Sequence, residues 1–380
     1  MAFDVAVVGL GVTGSAALYD LARRGVRAVG IEQFTPGHNR GSSHGETRII
    51  RLGYFEHPSY VPLVRAAYPL WRALAREAGE ALLDVTGIIE MGTRDSELVA
   101  GTLRSACEHG LDHEILDAAA VMRRFPPFRL PPDFVGVLQR DGGILAAEPA
   151  VAALVRLAAG AGADVRTGET VRTIDARPGG VRITTDRGAI EVEQAVVAAG
   201  PWVKKLLPGL PAAVRTTRQV LAWFEPADRA IFARDRFPVF IVAGATEVFY
   251  GFPLGPKPGI KFARHHHLDE DVDPDGLVPP PSAADEALLR AGLAAYLPAA
   301  NGALLDAQTC LYTRTPDDDF IIDRLPGTPQ VIVASPCSGH GFKFAPVIGE
   351  ILADLATAGT TRHDISRFSL ARRTLLPPGP

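Results

Sequence analysis

The sequence predicts an α/β chain in two parts: a Rossmann-like domain opened by a strand-helix-strand unit, and a second domain built on a mixed or antiparallel sheet. Three observations predict it. An apolar run, a glycine-spaced turn and a helical pattern follow one another at the start of the chain. Short segments rich in Val, Phe and Ile fill residues 216–254 with no long helix between them, which is antiparallel grammar. A last apolar run at 331–334 leads through a glycine-rich turn into a helical segment at 345–358, so the end of the chain returns to the opening domain.

In order, residues 5–8 read as a buried strand, 15–24 as a helix ended by Gly25, and 26–32 as a second strand. Residues 37–45 form a polar, glycine-rich loop, and the apolar spacing of 60–79 suits a long helix. A helical pattern at 149–161 leads to further strands of the first domain at 164–166, 181–185 and 195–199, the last ending at Gly200. Residues 273–284 hold Pro274 and a Pro279-Pro280-Pro281 run and must be loop. The expected division assigns 1–80, 145–212 and 311–380 to the first domain, and 81–144 and 213–310 to the second.

With 380 residues and 47% hydrophobic content, the chain has material for about two cores. A net charge of -4 supplies no basic field, so nucleic acid and anionic membranes are not expected as partners, and a small molecule is. The start carries Asp4 where an export signal needs basic residues, and no apolar stretch reaches the ~20 residues of a membrane span. A cytoplasmic protein is expected. Cys107, Cys310 and Cys337 are odd in number and widely spaced, which suits neither a disulfide framework nor a zinc site.

Gly9, Gly11 and Gly14 lie between the first strand and helix, and Glu32 ends the next strand. The first glycine permits a tight turn, the second lets backbone approach a pyrophosphate, and the third lets helix and strand pack closely. Partial positive charge at the helix start attracts the phosphates, and Glu32 can accept from ribose hydroxyls. The triplet alone fits NAD as well as FAD.

Two further clusters are dense in reactive side chains: Ser43-His44-Gly45-Glu46-Thr47-Arg48-Ile49-Ile50-Arg51 and Ser338-Gly339-His340-Gly341-Phe342-Lys343-Phe344. The second follows a buried strand and opens a helix, where backbone N–H groups can meet an electron-rich ring. With Gly9 to Gly14, His44 to Arg51, Tyr250-Gly-Phe-Pro253, Cys310-Leu-Tyr-Thr313 and Asp319-Phe-Ile-Ile-Asp323 in order along the chain, the sequence resembles the monomeric sarcosine oxidases and N-methyltryptophan oxidases, which bind FAD covalently.

That resemblance implies an FAD-linked reductase type of fold, with the flavin between the two domains. It implies cofactor contacts from Gly9, Gly11, Val12, Gly14, Glu32, His44, Thr47, Arg48, Val171, Gly200, Trp202, Gly339, Gly341 and Lys343. It also implies a cysteine thioether to the flavin. Cys310 is favoured because thiolate is needed and the Arg48 cluster offers positive charge, with Cys337 as the rival beside the glycine turn. Arg51 and Lys343 match the capture of a substrate carboxylate, His340 and Ile241 further substrate contacts, and Tyr250 and Tyr312 the pocket walls. Arg48 and His44 match groups that balance charge on the flavin, Lys261 one that activates dioxygen, and His265 a base facing the substrate.

The implied activity is oxidation of an N-methyl or other secondary α-amino acid by a monomer, with dioxygen reduced to hydrogen peroxide. Two departures bear on the substrate: Ser43 replaces a histidine usual in its stretch, and Ile241 stands where sarcosine oxidases place a methionine. N-methyltryptophan, pipecolate-type and glycated amines therefore stay open. So do a dehydrogenase using a carrier in place of dioxygen, in which Lys261 is only structural, and a flavin-binding protein without turnover. A calcium loop at Asp271-x-Asp273-x-Asp275 lacks its last acid, because Ser282 stands there. No metal is expected. A hydrolase elbow at Gly41-x-Ser43-x-Gly45 lacks the strand it needs before the serine.

Overall fold

The computed structural model describes residues 1–375. Its first sheet has six strands in the order Ile321–Leu325, Thr328–Ser335, Gln194–Val197, Val5–Val8, Ala28–Glu32 and Asp164–Thr167. All neighbours are parallel except the edge pair Ile321–Leu325 and Thr328–Ser335. Every residue of Val5–Val8 and Ala28–Glu32 is buried, as the runs of Val, Ala and Ile require when both faces are covered. Helices Val12–Arg23, Ala147–Gly160 and Ala345–Ala358 cover one face.

The other face carries a surprise for the strand expected at 181–185. It is not in the parallel sheet. It is the middle of a three-stranded antiparallel sheet, Val171–Arg177, Gly180–Thr185 and Gly188–Val192, which lays Val181 and Ile183 on Ala6, Val8, Val29 and Ile31. Alternation of buried and half-buried residues along Gly180–Thr185 is the mark of a sheet with one open face. The first helix also starts earlier than expected, at Val12 directly after the glycine turn.

The second sheet is mixed and has eight strands, ordered Leu304–Arg314, Arg215–Phe224, Ile260–Arg264, Val248–Gly251, Val239–Ala243, Ile88–Thr93, Phe134–Gln139 and Glu114–Asp117. Only Val239–Ala243 against Ile88–Thr93 is parallel. Its back face buries a cluster rich in phenylalanine, including Phe128, Phe237, Phe240 and Phe262. Because side chains alternate, the same strands present Lys261, Ala263, Tyr250, Ile241, Cys310 and Tyr312 on the front, toward the first sheet. The expected division at 310/311 falls inside Leu304–Arg314, which pairs along its length with Arg215–Phe224.

A small sheet joins the halves: Thr47–Ile50 pairs with Gly143–Ala146, which pairs with Leu83–Asp84. The helix Tyr60–Ala78 ends, as expected, at Gly79 in the left-handed conformation with φ 68. The loop through 273 ends at the helix Ala283–Tyr296, which Ser282 and Asp285 cap reciprocally. Its acids are spent on ion pairs, Asp273 and Asp275 with Lys205, and Asp269 and Asp271 with Arg215. Among the described residues no group of His, Cys, Asp and Glu is arranged to hold a metal ion, and no helix is long and apolar enough to cross a membrane.

The glycine turn is fixed by sterics. A Cβ on Gly14 would stand 1.8 Å from the Gly9 carbonyl oxygen, whereas one on Gly11 meets only the Ser43 hydroxyl at 3.2 Å. Gly14→Ala is expected to lower stability by about 1–3 kcal/mol through overpacking, and Gly11→Ala by less. Thermal unfolding of the two variants side by side checks the order.

Candidate functional site

Between the two sheets lies a cavity of about 440 Å³. One end is the glycine turn, with Gly9, Gly11, Val12 and Glu32 on its wall; the middle is lined by Val171, Gly200 and Trp202, and the far end by Arg48, Tyr312, Gly339 and Gly341. Gly9 holds φ +88, and a Cβ there would sit 2.7 Å from the Ala198 oxygen, so only glycine keeps this floor open. Gly11, at the cap position of the first helix, offers no side chain to its N–H groups, which leaves a natural phosphate seat. Glu32 is buried and aimed by two backbone donors, Leu10 N at 2.8 Å and Phe34 N at 2.9 Å. Gly14 does not line the cavity; it serves packing alone.

A second cavity of about 80 Å³ opens off the far end, sharing Arg48, Tyr312, Gly339, His340 and Phe342 with the first. Arg51 and Lys343 lie on one side of it, Tyr250, Ile241 and His265 on the other. Both cations are buried. Arg51 donates from Nη2 to both Glu56 carboxylate oxygens at 2.7 and 2.9 Å and from Nη1 to the Gly53 carbonyl at 2.6 Å, and its guanidinium lies over the Tyr54 and Phe55 rings. Lys343 donates to the His340 carbonyl at 2.7 Å, and burial beside Arg51 pulls its ammonium down to about 7.

His265 and Tyr312 face each other, with the hydroxyl 3.5 Å from Nδ1. Burial, with His266 close by, depresses His265 well below its ordinary value, so it is a neutral base at pH 7. Burial likewise raises the Tyr250 and Tyr312 hydroxyls, which stay protonated. His340, expected among the substrate contacts, lines both cavities. Its Nδ1 is held by the Tyr54 hydroxyl at 2.6 Å and its Nε2 by the Asp318 carbonyl at 3.0 Å, while the ring stacks on Phe320. Only its carbons and backbone remain for the cavity.

On the opposite side of the seam, the Lys261 ammonium is buried against three acceptors, the Gly45 and Thr47 carbonyls at 2.6 and 2.8 Å and the Thr47 hydroxyl at 3.1 Å. Burial and the neighbouring Arg48 lower its pKa well below that of a free lysine. Thr47, expected at the cofactor, spends its polar atoms on Lys261 and Arg48. His44 is buried beside the Cys310 thiol, with neither ring nitrogen in a well-formed hydrogen bond, and lines neither cavity.

The two rival cysteines separate on electrostatics. Burial pushes the Cys310 thiol up, but His44, Arg48 and Lys261 outweigh it and bring it down to about 7; Arg48 Nη2 stands 3.7 Å from the sulfur. Cys337 has no cation beside it, and burial raises it to about 11. Sequence reasoning missed Glu56 and Glu90, the two carboxylates facing Arg51. Glu90 did leave a signal: a charge inside the apolar run Ile88-Ile89-Glu90-Met91, in a strand whose other residues are core.

The glycine cradle and the aimed acid on the wall of a long cavity fit a dinucleotide such as FAD, and comparison with known proteins agrees. The FAD dependent oxidoreductase family matches residues 4–355. Monomeric sarcosine oxidase of Streptomyces avermitilis is 39% identical over 387 residues, covering 99% of each chain. N-methyl-L-tryptophan oxidase of Salmonella typhimurium is 38% identical, with 98% of this chain and 99% of the relative covered. Among solved structures, NikD, an unusual amino acid oxidase essential for nikkomycin biosynthesis, superposes with a TM-score of 0.84 at 30% identity over 97% of both chains. From the glycine turn to the last helix, then, this chain belongs to the FAD-dependent oxidoreductases, in the family of the monomeric sarcosine oxidases and N-methyl-L-tryptophan oxidases.

Proposed function

We propose that the protein is an FAD-dependent oxidase of small secondary α-amino acids of the sarcosine type, using dioxygen as electron acceptor. One observation supports this reading: the small cavity off the far end of the large one is lined by the basic side chains of Arg51 and Lys343 together with His265, which burial keeps neutral. Bound FAD supplies the acceptor for a hydride equivalent from the carbon next to nitrogen. Arg51 and Lys343 hold the carboxylate and so fix which carbon points at the ring. Neutral His265 accepts a hydrogen bond from the substrate nitrogen and helps steer its proton away, since only the free amine can give up hydride. Arg48 balances negative charge that grows at the ring edge, and Lys261 stabilises charge on dioxygen. Water hydrolyses the released imine; from sarcosine the products are glycine, formaldehyde and hydrogen peroxide.

Size favours the small end of the substrate class. The cavity is small, about 80 Å³, and its walls include the bulky side chains of Ile241, Tyr250 and Phe252. Sarcosine fits that space. An indole side chain requires the walls at Ile241, Tyr250 and Phe252 to move.

Cys310 carries the covalent link in this reading. It would hold the flavin through its sulfur, with the thiolate as nucleophile and His44 and Arg48 beside it as the groups that stabilise that form. A thiol poised at about 7 is part thiolate at neutral pH, whereas one at about 11 is not.

Anaerobic sarcosine is expected to bleach the bound flavin, and aerobic turnover to release one peroxide per sarcosine. Failure of every secondary amino acid tested to bleach the flavin overturns the reading, and bleaching without peroxide under air makes the protein a dehydrogenase. After acid precipitation, yellow colour should stay in the pellet of the wild type and of Cys337→Ala but wash out of Cys310→Ala. Lys343→Met should raise KM about 10- to 100-fold, the loss of one charge-assisted hydrogen bond, with a smaller effect on kcat. Steady-state kinetics at several sarcosine concentrations separates the two.

A further inference from the structure

Glu90 has no place in the chemistry so far, and its surroundings are unusual. It is fully buried, at 0% exposure, in the middle of the strand Ile88–Thr93. One carboxylate oxygen accepts from the Thr102 hydroxyl at 3.0 Å. The other has no hydrogen-bond partner and stands 3.7 Å from Nη1 of Arg51. Its neighbour across the parallel strand pair is Ile241, a wall of the small cavity, so Glu90 lies directly behind the site without lining it.

We propose that Glu90 is a positioning residue that must be protonated in the substrate complex, so that the buried cluster around Arg51 stays electrically balanced when the substrate carboxylate enters. This rests on the sarcosine-type reading only in taking Arg51 and Lys343 as the carboxylate seat.

The argument is a count of charges in a place that cannot tolerate an excess. Arg51 and Lys343 can carry two positive charges, Glu56 and Glu90 two negative ones, and all four are buried together. A third carboxylate, the substrate's, leaves the cluster negative unless one of the two glutamates is neutral. Glu56 cannot be that one. Burial pushes it up, but Arg51, whose Nη2 donates to both of its oxygens, together with His340 and Lys343 more than reverses this and holds it below the ordinary carboxylate value. Glu90 lacks such a grip, and burial raises it to about 7 despite Arg51. Its free oxygen accepts a proton with no hydrogen bond to break.

One more charge borders the cavity, Arg48, but its guanidinium is turned to the Thr47 and Ser42 carbonyls and the Cys310 sulfur, so it is counted with the cofactor side and not with Arg51; the remaining neighbours are neutral. Burial keeps Tyr54 protonated and pulls His340 down toward its neutral form, with both its ring nitrogens engaged. Thr102 on the helix above, and Val137 and Ile241 on the flanking strands, are uncharged. The balanced complex therefore has Arg51 and Lys343 charged, Glu56 ionised and Glu90 neutral. Above about pH 8, where Lys343 and Glu90 are both deprotonated in the free enzyme, carboxylate binding must take up two protons, one at each.

The test uses the flavin-loaded enzyme and methoxyacetate, a sarcosine analogue with oxygen in place of nitrogen. Wild-type affinity should fall roughly a hundredfold per pH unit above pH 8, and that of Glu90→Gln roughly tenfold, because glutamine copies the neutral acid and one proton drops out of the linkage. Equal slopes in the two proteins overturn the proposal. Infrared difference spectra of the wild type alone give a second readout: methoxyacetate should raise a protonated-carboxyl band at neutral pH, and its absence also overturns the proposal. Bleaching of the flavin by sarcosine is scored separately, so the activity can fail while the carboxylate result stands, or the reverse.

Discussion

The site hangs on a single buried ammonium. Lys261 rises from the front face of the eight-stranded sheet and donates to the Gly45 and Thr47 carbonyls, which belong to the loop of the opposite half. That loop has little regular structure of its own, and it includes Gly45 at φ 96 and Glu46 at φ 73, the latter a costly conformation for a residue with a side chain. It keeps its shape because it is stitched on every side. Glu148 accepts from the Gly45 and Glu46 N–H groups, and Glu46 in turn accepts from the Trp223 indole and the Lys257 N–H. Held this way, the loop brings Arg48 against Cys310 and starts the strand that delivers Arg51.

Burial then does the chemical tuning. In one dry seam the same desolvation lowers Lys261, Lys343 and His265, raises Tyr250, Tyr312 and Glu90, and is overcome at Cys310 only because several positive or polar groups converge there. Each group's protonation state at neutral pH is thus a property of the seam between the sheets. Changing a wall that touches no substrate would still move these values.

What the sequence made legible were features with a local cause. The glycine turn is dictated by contacts within the first strand and helix, and the reactive stretches around Arg48, Cys310 and Lys343 could be recognised by their order. Long-range pairings were less visible. The segment 181–185 has the composition of a Rossmann strand, and nothing local says that it lies across the sheet on a separate antiparallel layer. Leu304–Arg314 likewise runs past the expected change of domain because its partner is Arg215–Phe224. His340 looked reactive, and only the fold shows Tyr54 and Asp318 claiming both of its nitrogens. Glu56 and Glu90 were missed because their importance comes from Arg51, brought to them by folding.

The acid-rich loop through Asp275 forms a strap on the wall of the large cavity, and this has a consequence for how the protein is made. Trp202 donates to Asp275 at 2.6 Å, and both line the large cavity, whose far wall comes from residues 334–342. The glycine turn leaves the ribosome first, yet the compartment it belongs to has no roof until the strap arrives and no back wall until almost the whole chain has emerged. The nascent protein therefore carries an early, exposed phosphate seat with nothing to enclose a flavin. The cavity wall is complete only once residues 334–342 have joined the fold.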